Sequence, residues 1–477
     1  MSTMPVTKSS VAINPKIGVP FDELVTQGGD DRLDLAENGL NKYNVRPTDF
    51  ETVFNRASCT CSPFTPEGYR AAVDLYQKLD PDVFDETRKQ QTQTIKELIN
   101  YDGRNRFHVF YAPSGSDLCY LPLLFSKLIN PDRNIFNVIT CPEELGSGSI
   151  SAYSGKYYFG RNQMGEPVPK GESLGSQIVI ENENYAARAG DGTIINHWPN
   201  ILQKIHEKYH THSVNANLVI GSKSGIENNI TYVSQAPENV LWTIDLCQFR
   251  ASRVLINGLI GMNCLVMLTG SKFYQSPPFC AVLLVPKTIT KHFGPGNENL
   301  LSPFSTIFSR HDVPEKFSSL RENLPDYRNY GLLLRWEAAL TEMVATSRLD
   351  SFDLSDVIQK WNRHVVERLG RSKNFKMMPD QQVTNNSIVS FRVLDDDGRF
   401  LSHDELRTLY LKVCQRDDLP LGKYCRALFG QPVKYGDRSF IRMALGSAGL
   451  RDFVDNGLDF DNDDALIDIL EETVKSF

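Results

Sequence analysis

Six short apolar runs, at 106–111, 135–140, 215–220, 240–245, 263–268 and 279–285, punctuate the middle of this 477-residue chain. Most are too short for helices, rich in Val, Ile and Leu, and followed by Gly, Ser or Asp. Apolar runs of that length, separated by longer crossovers, read as strands buried on both faces of a mainly parallel sheet. In such an α/β architecture ligands bind beyond the carboxyl ends of the strands. The residues that follow each run are therefore where chemistry is expected.

The flanking sequence has a different texture. Over 66–100 a helical period places Tyr69, Ala72, Val73, Tyr76 and Leu79 at three- and four-residue steps. Helices are also expected over 330–348 and 352–369, the first with Leu332, Leu333, Trp336, Leu340, Met343 and Val344 on one side. Beyond about 370 the order is strand (387–394), helix (403–414) and strand (439–445), a compact α+β unit. Ser402, three residues before Glu405, marks the start of its helix. The acidic segment 459–472 reads as a solvated final helix. These shifts divide the chain into an N-terminal arm with part of a small domain (1–65), a large domain (66–330), and linking helices with a small C-terminal domain (331–477).

Composition narrows the function classes. A net charge of −7 argues against general affinity for nucleic acid or anionic lipid, while leaving room for a locally basic pocket. The single residue between Cys59 and Cys61 suits neither a relaxed disulfide nor a zinc knuckle, and the other seven cysteines are scattered. Thiols in a reducing, cytoplasmic setting are expected. His206 and His210 have helical i, i+4 spacing, with His212 beside them, but no acidic residue completes a metal motif there. No metal is expected. The N-terminus is hydroxyl-rich, has no acid before Asp22, and lacks the apolar core of a secretory signal. The apolar stretch 254–270 contains Asn257, Asn263 and three glycines after Arg253, which fits a helix turn plus a buried strand rather than a membrane span.

Three strand ends carry the chemistry. After the run at 106–111 comes Ser114-Gly115-Ser116-Asp117: glycine lets the backbone approach an anion, the hydroxyls donate, and a following helix offers free amides. Pro122 implies a helix start or kink close by. Asp245 ends the run at 240–245 and could pair with a protonated pyridine nitrogen, with Gln248 three residues on within reach of a ring oxygen. Lys272 follows Thr269 and Ser271 at a third strand end, where apolar surroundings would lower an amine's pKa for nucleophilic use. A phosphate turn, a carboxylate and a lysine in this arrangement form the minimal set for holding pyridoxal 5′-phosphate (PLP) as a Schiff base.

In that order and spacing the pieces resemble the PLP enzymes of fold type I, particularly the class V aminotransferase and cysteine desulfurase branch. Thr269-Gly-Ser-Lys272-Phe-Tyr-Gln-Ser-Pro-Pro-Phe-Cys-Ala-Val-Leu-Leu-Val resembles that branch's Ser-x-His-Lys segment and following strand. Asp245-Leu-Cys-Gln248 resembles its Asp-x-x-Gln or Asp-x-x-His. Ser222-Lys-Ser224-Gly225 is similar to its turn beside the ring, and Ser439-Phe-Ile-Arg442 echoes its Val-Arg-Ile-Ser strand. The resemblance runs from about 100 to 290. It implies a three-layer large domain that binds PLP, with Lys272 as the Schiff-base lysine and Asp245 on the ring nitrogen. Gln248 would bond the ring oxygen, and Ser114, Gly115, Ser116, Thr269 and Ser271 the phosphate. Arg442 would hold a substrate carboxylate, with Arg250 and Arg253 as rivals.

The chain departs from the branch at named places. Ser271 stands where histidine precedes the lysine, Ser276-Pro277 where Gly-Pro follows it, and Thr140-Cys-Pro-Glu143-Glu144 where a ring-stacking histidine is expected. The expected activity is aminotransferase-like, on an amino acid or similar carboxylate-bearing amine. The alternatives are a C–S lyase, desulfurase or other β-eliminating lyase, and a non-catalytic PLP-fold binding protein. The resemblance also implies a homodimer, with Leu40–Tyr43 as an arm and 275–279 near a partner. Neither nucleic acid nor membrane is an expected partner.

Overall fold

A computed structural model describes residues 11–100, 103, 104, 106–190, 192–294, 298–378 and 386–477. The hydroxyl-rich N-terminal residues discussed above lie largely outside that range. Among the described residues, twelve strands form two sheets. They are β1 (Val53–Arg56), β2 (Phe107–Ala112), β3 (Ile135–Thr140), β4 (Ile180–Tyr185), β5 (Ser213–Val219), β6 (Val240–Asp245), β7 (Leu265–Thr269), β8 (Ala281–Pro286), β9 (Phe375–Met377), β10 (Ile388–Val393), β11 (Arg426–Val433) and β12 (Phe440–Ala444).

The large sheet has the order β2-β8-β7-β6-β5-β3-β4. Its pairings are parallel except at β8, which runs against both β2 and β7. All six apolar runs are strands here. Alternate residues serve opposite faces, as the two-residue period of a strand requires. Phe107, Val109 and Tyr111 of β2 join one buried cluster with Trp198, Ile201 and Ile256. Phe110 and Ala112 join another with Leu121, Leu124 and Phe125. Helices on both faces leave the strands no solvent side, which is why the runs lack polar alternation. The seventh strand, β4, is the exception: Glu181, Asn182, Glu183 and Asn184 make it polar, as an edge strand tolerates.

The smaller sheet has the order β1-β11-β12-β10-β9. Its first strand comes from the N-terminal segment and runs parallel to β11. The helix at 403–414 forms with Ser402 and Glu405 in a reciprocal cap. The period over 66–100 resolves into two helices, Pro66–Lys78 and Pro81–Ile99, because Asp80 caps a new start ahead of Pro81. The final helix differs from expectation. Asp461–Val474 buries Leu466, Ile467, Leu470 and Val474, and its fully buried Asp463 pairs with Arg56 of β1 at 2.6 Å. The acids of that segment mask an amphipathic core helix that ties the two ends of the chain together.

Candidate functional site

Strand register brings the candidate residues together. Val219 pairs with Asp245, Asp245 with Met267, Thr269 with Ala281, and Ala281 with Ala112. The residues that leave these strands surround one cavity of about 390 Å³. Ser114, Gly115, Ser116, Ser222, Asp245, Gln248, Thr269, Ser271, Lys272 and Arg442 all line it.

Ser224 and Arg250 lie outside that lining. Ser224 is fully buried behind it, with its amide and hydroxyl donating to the Glu144 carboxylate. Arg250 donates to Ser58 Oγ at 3.0 Å and to the Leu445 carbonyl at 2.8 Å, and lies over the Phe273 ring. Burial pushes its pKa down to about 10. Of the arginines offered for a substrate carboxylate, Arg442 is the one at the cavity.

Ser114 caps a short helix, Gly115–Leu118, and its hydroxyl donates to Asp117 Oδ2 at 2.7 Å. Thr269 Oγ1 likewise donates to the Cys247 carbonyl at 2.6 Å. Their protons are committed, so an anion at this turn would meet Ser116, Ser271 and the Gly115 and Ser116 amides, since those of Asp117 and Leu118 already donate to Ser114. Gly115 is needed for fit: a Cβ there would come within 2.8 Å of Cys247 Sγ.

Behind the turn sits a buried cluster from the N-terminal segment. Arg32 pairs with Asp30 at 2.6 Å and reaches Ser114 Oγ at 3.2 Å and Tyr158 at 3.1 Å. Tyr158 donates to Asp117 Oδ1 at 2.7 Å. Burial, then the neighbouring Asp30 charge, pushes the Asp117 carboxyl up to about 6.

Asp245 Oδ1 accepts from the Cys247 amide at 2.9 Å. Gln248 donates to the Cys59 carbonyl at 3.0 Å, leaving its buried Oε1 without a hydrogen bond. The Lys272 side chain makes no hydrogen bond or ion pair with any described residue. Arg442 is 3% exposed; its Nη2 donates to Thr60 Oγ1 and the Gln431 carbonyl, while Nε and Nη1 are buried without partners. A buried guanidinium with unused donors is costly unless an anion completes it.

Sequence reasoning passed over several residues here. Lys223, inside the quoted turn, lines the cavity with Nζ on the Glu143 carbonyl at 3.1 Å. Burial, with Arg442 and Lys272 nearby, pushes it down to about 8. Its signal was its place between Ser222 and Ser224. Arg32, Tyr43, Thr60 and Cys61 reach the cavity from the N-terminal segment, where no motif marks them. Glu143 accepts from the Ala187 amide, and Glu144 from Ser222 and Ser224, so both acids at the place of the missing histidine are engaged. All nine cysteines are free thiols. Burial pushes Cys61 up to about 12 and Cys280 up to about 11, which keeps them protonated.

No family model matches the chain, and no curated protein matches it. Solved structures do. A NifS-like protein from Rickettsia africae superposes with a TM-score of 0.55 at 8% identity, covering 88% of this chain and 99% of that one. A ureidoglycine–glyoxylate aminotransferase from Bacillus subtilis gives 0.51 at 11%, covering 88% and 92%. A C-DES variant with glycine covalently linked to its PLP cofactor gives 0.54 at 10%, covering 89% and 96%. This chain has the fold of the type I PLP enzymes. At such identities the likeness is one of fold, and the chemistry rests on the residues themselves.

Proposed function

We propose that this protein is a PLP-dependent enzyme acting on the amine of an amino acid or similar carboxylate-bearing compound, with aminotransferase-like chemistry. The observation that carries the reading is the meeting, in one cavity, of an unpaired lysine, a strand-end carboxylate, a glycine-tight hydroxyl turn and a buried arginine with unused donors. The residues fit the cofactor. Lys272 would carry it through Nζ, and Asp245 would face its ring nitrogen. Ser116, Gly115 and Ser271 would hold its phosphate, with Ser114 and Thr269 shaping the turn. Gln248 Oε1, buried without a donor, suits a polar group of the ring.

When bound, PLP supplies an electron sink for charge left on a substrate carbon. The chain's own residues do the rest. Arg442 orients the substrate by a charge-assisted hydrogen bond to its carboxylate, and Lys223 adds a second positive charge nearby. Lys272 Nζ would take a proton from the substrate's α-carbon and return it elsewhere. The Asp245 carboxylate, at the strand end, would stabilise a protonated ring nitrogen.

β-Elimination shares the first proton transfer. A persulfide-forming desulfurase needs a thiolate; of the four cysteines that line the cavity, burial raises the pKa of Cys61, Cys247 and Cys280, which argues against those three in that role. Free thiols throughout suit a cytoplasmic setting. No helix among the described residues is long and apolar enough to cross a membrane. We read the active form as a homodimer; sedimentation showing a competent species of one 53.9 kDa chain would overturn that.

Titration of the purified protein with PLP, followed by absorbance, tests the function. Saturable uptake of one equivalent per chain, with a spectral change on adding the right amino acid, is expected. A protein that stays colourless and takes up no PLP would refute the reading.

A further inference from the structure

A second cleft, of about 480 Å³, lies apart from the main cavity, between the helix Pro81–Ile99, the strand β2 and the segment 311–321. None of its lining residues lines the main cavity. Its cations outnumber its acids. Arg88, Lys89, Lys96, Lys316 and Arg321 line it, against Asp85 and Glu315. Both acids are already used: Glu315 pairs with Lys89 at 3.3 Å, and Asp85 with Arg328 at 2.9 Å and His311 at 3.2 Å. Arg88, Lys96, Lys316 and Arg321 form no ion pair with any described residue.

Two of the lining side chains are more than nine-tenths buried and carry unsatisfied nitrogens. Arg88 is 8% exposed with a buried Nε that has no hydrogen bond, and His108 is 8% exposed with a buried Nε2 that has none. The Arg88 guanidinium is held 4.0 Å over the Tyr111 ring, so it cannot swing to solvent without giving up that contact. A buried donor without an acceptor costs free energy, and a crowd of unpaired cations adds to it.

We propose that this cleft is a second ligand site, built for a small metabolite bearing at least two negative charges on phosphate or carboxylate groups. Arg88 and His108 form its floor; Lys96, Lys316 and Arg321 close its rim. The crowding has a second signature. Burial, then the nearby Lys316, Lys287 and Lys96 charges, hold His108 down to about 4. Burial and Lys287 likewise lower Lys96. Each of these costs is relieved when an anion enters. Strand β2 then links the two sites: His108 lies near its start, and Ser114 of the main cavity follows its end.

The test is calorimetric titration of the full chain, first loaded with PLP and then freed of the excess by gel filtration, with inorganic pyrophosphate and, separately, with citrate. Saturable binding of one or both is expected, and which one binds tells phosphate from carboxylate chemistry. The variant Lys96→Gln/Lys316→Gln alters half-exposed and exposed side chains, so the fold should persist, as an unchanged unliganded melting temperature would confirm. It should bind about tenfold more weakly or worse. Absence of binding by both probes, or unchanged affinity in the double variant, would overturn the proposal. Because neither lysine touches the main cavity, this outcome is independent of whether PLP binds there.

Discussion

Gly430 of β11 stands directly opposite Arg442 of β12, and a Cβ on that glycine would come within 2.9 Å of Arg442 Cβ and 3.0 Å of its Nε. The absent side chain leaves room for Arg442 in its place at the cavity. Gly430→Ala should therefore displace Arg442 and raise the KM for a carboxylate substrate with a smaller effect on kcat. Arg442→Ala should cost about 1.5–3 kcal/mol in kcat/KM, the usual worth of a hydrogen bond to a charged group. Steady-state kinetics on both variants checks this, and an unchanged KM in Arg442→Ala would remove the residue from substrate binding.

Asp245→Asn keeps the shape of the strand end but removes the negative charge. PLP should still bind, while turnover falls about a hundredfold or more because the ring nitrogen loses its partner. Absorbance titration separates the two effects. Near wild-type turnover would place the electron-sink control elsewhere.

Most of the large sheet was legible because its strands are buried on both faces and so stand out as apolar runs. The edge strand β4 was not, since an exposed edge permits Glu181, Asn182, Glu183 and Asn184, and polar runs carry no strand signal. At the site, residues at strand ends were visible because chain order places them. Arg32 and Thr60 were not: they arrive from far along the chain, and only tertiary packing brings them to Ser114 and Arg442. Arg250 shows the opposite error of proximity. Its nearness to Asp245 in sequence suggested a ligand, yet its guanidinium donates to Ser58 and to the Leu445 carbonyl, outside the cavity lining.

Lys223 gives a pH signature. Its pKa is pushed from the ordinary 10.5 down to about 8, so its positive charge is lost as pH rises through that value. In the free enzyme, kcat/KM for an anionic substrate should therefore fall above about pH 8. Lys223→Met should be weaker at neutral pH and should lose the part of that decline due to Lys223. A profile identical to wild type would exclude Lys223 from substrate attraction.

Asp117 makes a stability prediction of defined sign. Its folded pKa of about 6 lies above the ordinary 3.8, so the folded state holds its proton more tightly than the unfolded chain does. That contribution is full at low pH and is lost as pH rises through about 6. Asp117→Asn should therefore gain stability relative to wild type between pH 4 and 7 in denaturant unfolding, whatever its offset. A difference independent of pH would contradict the assignment.

The most direct measurement is to saturate the protein with PLP, reduce with borohydride, digest, and locate the modified lysine by mass spectrometry. Three lysines line the cavity and could compete: Lys223, whose Nζ donates to the Glu143 and Leu145 carbonyls, Lys434, and Lys272. The account predicts the label on Lys272 alone, and none on a folded Lys272→Ala variant. A label on Lys223, on Lys434, on any lysine outside the cavity, or on none, would contradict it.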